Sequence, residues 1–387
     1  MKKLLTLFAS LAIFLAACGQ AAAVTPTVLA STPTVAPSAT PQPPTGTPTS
    51  QPTATIAPTL PPEGYGPSGF PSNIDPLTGL QVADPNLLNR RPLLIKVANI
   101  PRSYRPQWGL SLADIVFEYY TEQGSTRFAA IFYGNNADMV GPIRSGRFID
   151  AHLVRGYKAV FAFGSAYQAE MDRFLTSEFA DRLVIEGPNT PLTRYDPNGL
   201  DYLVVNTANL SAYAAAKGIN ARQNLDGMSF NSTIPAGGQP GTQIYVRYSG
   251  AIYNRWDYDP ASGTYLRFSD TVDDNDGNNA QYAQLTDRLT DKPIAFDNLV
   301  VLYVTHEVYS PGIYDILLSG SGDGYAFRDG QAYPVTWHRN DTDVTSLTNP
   351  DGTPFDFKPG NTWFEVVGVS SQLKQDGQAW RFTHLMP

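Results

Sequence analysis

A single cysteine, Cys18, leaves the chain without an intramolecular disulfide and without the paired thiols of a zinc knuckle or dithiol redox site. Basic residues are also few. The 27 Lys and Arg face 35 Asp and Glu, a formal net charge of −8 that becomes −10 (−8 − 2) once Lys2 and Lys3 are set aside. Phosphate-backbone binding needs clustered cations, so nucleic acid is not an expected partner. The four histidines, His152, His306, His338 and His384, are scattered and form no local metal motif; neither a metal nor a cofactor is expected. His306-Glu307 starts like a zinc-protease helix, but Ser310 stands where the second histidine belongs. Gly320-Ser321-Gly322-Asp323-Gly324 lacks a phosphate-loop lysine, and Gly164-Ser165 lacks the rest of a G-x-S-x-G elbow. After the first twenty residues no apolar run reaches the ~20 residues that span a bilayer.

The beginning of the chain is its most legible part. Met1-Lys2-Lys3, an apolar run from Leu4 to Ala17 and the sequence Leu15-Ala16-Ala17-Cys18 resemble a bacterial lipoprotein signal with its lipobox. Residues 1–18 are therefore expected to direct export, with Cys18 as the lipid attachment site and the extracytoplasmic face of the membrane as the location. Two or three acyl chains hold a protein there stably, where one does not. Residues 19–72 are rich in Thr, Pro, Ala and Ser, with Glu63 their only charged member. Such a composition cannot bury a core, and at ~3.1 Å per residue in polyproline conformation it predicts a disordered stalk reaching on the order of 100 Å.

The remainder predicts an α+β protein of two parts, a mixed α/β domain over 73–226 and a β-rich domain over 227–387. In the first, Leu93–Asn99 reads as a buried strand, and Ile115–Glu122 with Thr126–Tyr133 as a hairpin turning at Gly124-Ser125 in a type II′ turn. Helices are predicted over Asp150–Tyr157, Tyr167–Leu175 and Leu210–Lys217, with short strands at Ala159–Phe163 and Leu203–Val205. The second part predicts strands at 244–248, 265–268, 299–305, 314–318, 325–328, 332–337 and 362–367, with Asp329-Gly330 as a hairpin turn. The Gly-, Ser- and Pro-rich stretch from Gly227 to Gly241 marks the boundary or a long surface loop.

A set of short motifs runs through both parts: Asn89-Arg90-Arg91-Pro92, Arg105-Pro106-Gln107, Gly109-Leu110-Ser111-Leu112-Ala113-Asp114, Thr126-Arg127-Phe128, Gly141-Pro142-Ile143-Arg144-Ser145-Gly146-Arg147, Phe327-Arg328-Asp329-Gly330 and Pro359-Gly360-Asn361-Thr362-Trp363. With them the chain resembles the YerB-like lipoproteins, a family of unknown function. The resemblance implies a two-domain lipoprotein and brings no activity with it. Leu203-Val204-Val205-Asn206-Thr207 departs from the His-Asn pair that the resemblance leads one to expect there.

Arg144-Ser145-Gly146-Arg147 before a predicted helix is the most suggestive chemistry. Two guanidiniums, a hydroxyl and helix-start amides can converge on one anion, with Arg105 and Arg127 completing the pocket and Lys96 adding charge. The competing reading pairs these arginines internally with Asp114, Glu118, Glu122 and Asp150. Glu118 and Glu122, about 13 Å apart on one strand, are too distant for a glycosidase pair. The leading expectation is binding of an anionic envelope ligand, a glycan, phosphate or peptide. The alternatives are an envelope hydrolase or transferase using Asp114, Glu118, Glu122, Asp150 or His152, and a scaffold for other membrane proteins.

Overall fold

An unbroken apolar run makes β1 (Leu93–Ala98), buried along its whole length, the pattern of a strand covered on both faces. The computed structural model describes residues 63–197 and 199–386; the expected signal peptide, Cys18 and the stalk through residue 62 lie outside the described residues. The fold is α+β, with three α-helices and many strands among the described residues.

β2 (Ile115–Tyr120) and β3 (Thr126–Phe132) form the expected hairpin, and β3 pairs antiparallel with β1. The turn sits one residue earlier than predicted. Gln123 and Gly124 are its central pair, both at positive φ, and Ser125 N donates to Glu122 O (2.9 Å). Positive φ at both central residues is the type I′ form, and Ser125 stands outside the pair, its carbonyl accepting from Thr121 N and its hydroxyl donating to Glu122 O.

Next come α1 (Phe148–Gly156), β4 (Val160–Phe163), α2 (Gln168–Leu175) and β5 (Leu183–Ile185), then β6 (Leu192–Tyr195), β7 (Tyr202–Val205) and α3 (Thr207–Ala216). β4 runs parallel to both β1 and β5, so β4, α2 and β5 make one βαβ unit. α1 begins two residues before the predicted Asp150 because the Asp150 carboxylate accepts from Arg147 N (2.6 Å), the usual geometry of an acid in a first turn. α3 begins three residues early, where the Asn206 side chain accepts from Asn209 N.

Strands from the second half enter this same sheet. Thr362–Gly368 pairs parallel with β2, placing Glu365 beside Glu118, and Asn298–Val304 pairs parallel on its far side. Gly320–Arg328 and Gln331–Arg339 follow, and the result is an eleven-stranded sheet drawn from both halves. Alternation divides its side chains. Leu94, Ile115 and Phe117 face one core with Ile149, Leu153 and Phe174 of α1 and α2. Ile95, Val97 and Val116 face another with Ile244, Val246, Trp256 and Phe382 of a second, seven-stranded sheet. Asp329 and Gly330 turn the hairpin predicted for them, both at positive φ.

The chain joins the fold ahead of residue 72, the expected end of the stalk. Tyr65 exchanges backbone hydrogen bonds with Phe230 (2.8 and 2.7 Å), Gly227 N donates to Pro67 O, and Phe70 packs on Phe230. Composition alone does not distinguish these anchoring aromatics from stalk.

Candidate functional site

The segment Pro142–Gly146 is stitched between two strands. Ala98 N donates to Pro142 O (2.8 Å), Arg144 N to Lys96 O (2.9 Å), Gly164 N to Arg144 O (3.0 Å) and Gly146 N to Ser165 O (2.7 Å). Arg144-Ser145 is thereby fixed beside Gly164-Ser165, which leaves the carboxyl end of β4 and leads into α2. Around these residues lies a cleft of about 280 Å³, lined also by Tyr104, Tyr202, Glu186, Arg194 and Asp201. Glu186 follows β5, so the cleft opens at the carboxyl ends of two parallel strands, the place where α/β sheets commonly take ligands.

Arg144 is exposed and lies 5.5 Å from the Tyr104 ring centroid; no acid pairs with it among the described residues. The Ser145 and Ser165 hydroxyl oxygens are 2.8 Å apart. Arg194 is spent on Glu186 and Asp201.

The other predicted arginines do not converge there. Arg147 lines a separate cleft of about 220 Å³, where its guanidinium donates to both oxygens of Glu122 and lies 3.6 Å from Glu170. Arg127 donates to Glu122 Oε1 (2.8 Å) and to Ser145 O (2.8 Å). Arg105 is bound to Asp270, with Nη1 donating to Oδ2 at 3.0 Å and Nε to Asn99 O. Arg105, Arg127 and Arg147 thus take internal partners, while Arg144 and Ser145 line one cleft together. The Arg147 amide at the helix start has an anion already, the Asp150 carboxylate.

These pairings set the local electrostatics. Burial opposes ionisation of Glu122, but Arg147 and Arg127 outweigh it and hold its carboxyl below the usual range. Burial pushes Glu170 up. Lys96 is wholly buried, 3.2 Å from Asp150, and burial pulls its ammonium down to about 7. Tyr119 hydrogen-bonds both Lys96 and Asp150.

The acidic residues weighed for catalysis sit in buried sets. Asp114 accepts from Tyr133 N, Gly134 N and Asn135 Nδ2, and burial raises it to about 6. Glu118 accepts from Arg267 (2.7 Å), Thr126 (2.7 Å) and Asn99 (3.1 Å). Arg267 also reaches Glu365 (3.2 Å), which accepts from Trp256 Nε1 (2.9 Å) and Tyr248 OH (3.0 Å). Burial, with Glu118 alongside, pushes Glu365 up to about 8. His152 is held neutral, its pKa lowered to about 4 by burial.

Sequence reasoning missed Glu170, Tyr167 and Tyr104. Tyr167-x-x-Glu170 carried a local signal, because a glutamate three residues past a helix cap reaches back to the cap amide, as Glu170 does to Tyr167 N (3.0 Å). Tyr104 carried none.

Two family models match the chain. Residues 77–220 match the N-terminal domain of the protein of unknown function DUF3048, and residues 244–364 match its C-terminal domain. A Bacillus subtilis (strain 168) protein described as "Putative lipoprotein YerB" is 28% identical over 312 residues, covering 76% of this chain and 85% of that protein. The crystal structure of the YerB protein from Bacillus subtilis superposes with a TM-score of 0.64 at 27% identity, covering 76% of this chain and 96% of that one.

Proposed function

We propose, given that the chain belongs to the DUF3048 family of proteins of unknown function, that it is a lipid-anchored extracytoplasmic binding protein whose Arg144 cleft takes an anionic group of an envelope ligand. Cys18 is its membrane anchor; the lipoprotein description of the Bacillus relative supports that assignment. The observation that carries the reading is Arg144 itself. It is exposed beside two serine hydroxyls at the end of a parallel strand pair and has no acid partner among the described residues, whereas Arg105, Arg127 and Arg147 are each ion-paired.

The cleft carries two arginines against two acids, so its attraction rests on directed hydrogen bonds rather than on a strong positive field. A guanidinium fork and two hydroxyls can together cover several oxygens of a phosphate or carboxylate. Placement of Asp114, Glu118 and Asp150 in buried hydrogen-bonded sets favours binding over hydrolysis by those groups.

The test is titration of the full-length protein, in detergent, with inorganic phosphate and with acetate, followed by calorimetry and by the tyrosine signals of the cleft. Arg144→Ala is expected to weaken binding about tenfold or more, the cost of a charged hydrogen-bond partner, with unfolding unchanged. Equal affinity in wild type and Arg144→Ala would remove the basis of the reading. For the anchor, Cys18→Ser is expected to move the protein from the membrane fraction to the soluble one; retention at the membrane would refute lipidation.

A further inference from the structure

Gly146 and Ser165 are hydrogen-bonded across two chain segments, Arg144–Arg147 and Gly164–Tyr167, that wall two different clefts. The first residues of each segment line the Arg144 cleft. The last residues, Arg147 and Tyr167, line the second, together with Tyr120, Glu170 and Tyr314.

The second cleft has a different character. Tyr167 is 54% exposed and meets no other ring among the described residues. Tyr314 is fixed edge-on to Tyr120 at 5.5 Å, and Tyr120 in turn stacks on His384 at 5.1 Å. Ile149, Ile313 and Ile316 add apolar surface. Glu170 is only 1% exposed; Oε2 accepts from Tyr167 N, while Oε1 is buried without a protein partner. Burial raises its pKa, with Arg147 at 3.6 Å opposing the shift, and the unpartnered Oε1 can accept from a ligand hydroxyl.

Charge selects the occupant. Arg147 is already neutralised by Glu122, and Glu122 is held by two arginines, so neither attracts an ion strongly. What remains on offer is mixed: one carboxyl, guanidinium edges, tyrosine rings and aliphatic surface. Pyranose rings have that profile, with hydroxyls that donate and accept around the rim and apolar C–H faces that stack on aromatic rings.

We propose that this cleft is a saccharide subsite for an uncharged pyranose ring, with Tyr167 as its stacking face and Glu170 as its hydrogen-bonding end. It stands apart from the Arg144 reading, since it needs no anion.

The test uses the full-length protein in a sugar-free detergent, titrated by calorimetry and intrinsic fluorescence with N-acetylchitotetraose and with cellotetraose. At least one is expected to bind with a Kd below about 1 mM. Tyr167→Ala should weaken it about tenfold or more, as loss of a central aromatic contact does, with the melting temperature unchanged because the ring is exposed. Glu170→Gln, which keeps an acceptor for Tyr167 N and a polar atom in the cleft, should bind nearly as wild type, and Glu170→Ala should not. Arg144→Ala should leave saccharide binding intact. The proposal falls if neither oligosaccharide binds at about 10 mM, some tenfold beyond the expected Kd, or if Tyr167→Ala binds like wild type. Phosphate binding without saccharide binding would overturn this inference alone; saccharide binding without phosphate binding would overturn only the Arg144 reading. Should Glu170→Ala fail to fold, Tyr167→Ala still decides.

Discussion

Glu365→Gln should make the protein less sensitive to alkaline pH without loosening it near pH 5. Glu365 is fully buried beside Glu118, and the two share Arg267, so three ionisable groups have two unlike charges to satisfy when Glu365 keeps its proton. Its pKa is about 8 in the fold against 4.5 for a free glutamate carboxyl. Between those values the folded state holds a proton that the unfolded chain has lost, so stability falls as pH rises through the interval, at about 1.4 kcal/mol per unit. Over the whole interval that amounts to at most about 5 kcal/mol. Glutamine fits the same bonds. Oε1 continues to accept from Trp256 and Arg267, and the new amide can donate to Tyr248 OH, whose own proton then goes to Glu118 O at 3.1 Å. Urea unfolding of both proteins from pH 5 to pH 9 measures the effect. The variant should lie within about 1 kcal/mol of wild type at pH 5, one ordinary hydrogen bond, and exceed it by several at pH 9. Parallel pH profiles would refute the reasoning.

Lys96→Met should destabilise by about 3–5 kcal/mol, the cost of leaving a buried carboxylate, here Asp150, without its counter-ion; urea melts report it. Gly146→Ala should lose about 1–3 kcal/mol through overpacking, because a Cβ there would lie 2.8 Å from the Phe174 ring and 3.3 Å from Phe161 and Phe163; a smaller loss in Phe174→Leu/Gly146→Ala than in Gly146→Ala alone would confirm the contact. His306 and His384 are buried, with pKa values lowered to about 4 and about 3 chiefly by desolvation. The unfolded chain therefore takes up their protons first, and stability should fall as pH drops below 6.5, by about 1.4 kcal/mol per unit for each ring. His384→Gln, whose amide oxygen can still accept from Gly368 N, should reduce that acid slope.

Local signals carried the hairpin β2–β3, the apolar β1 and the Asp329-Gly330 turn, because alternation and turn chemistry are written in neighbouring residues. The strand Tyr253–Asp259 escaped notice since Tyr-Asn-Arg-Trp-Asp-Tyr-Asp is mostly polar, and only burial of Trp256 and Asn254 against the other sheet explains it. Entry of Thr362–Gly368 beside β2 was illegible for another reason. Parallel pairing joins segments far apart in sequence; it puts Glu365 beside Glu118, and Arg267 reaches both from the other sheet. At the candidate site, the Arg144-Ser145-Gly146-Arg147 motif was visible, yet its division between two clefts was not. That division depends on the hydrogen bond of Gly146 to Ser165, which turns Arg144 and Arg147 toward different neighbours.

The order of strands also sets a timetable. When the polypeptide emerges N-terminus first, β2 has β3 on one side and nothing on the other until residues 362–368 are made. For most of its synthesis the nascent molecule carries an open hydrogen-bonding edge with Glu118 beside it, a template for wrong partners. Contacts of such long sequence separation close late and slowly. Loss of even the last few dozen residues would therefore not trim an accessory module. It would leave the central sheet unsealed from β2 outward, a species destined for aggregation or proteolysis rather than for a smaller working protein.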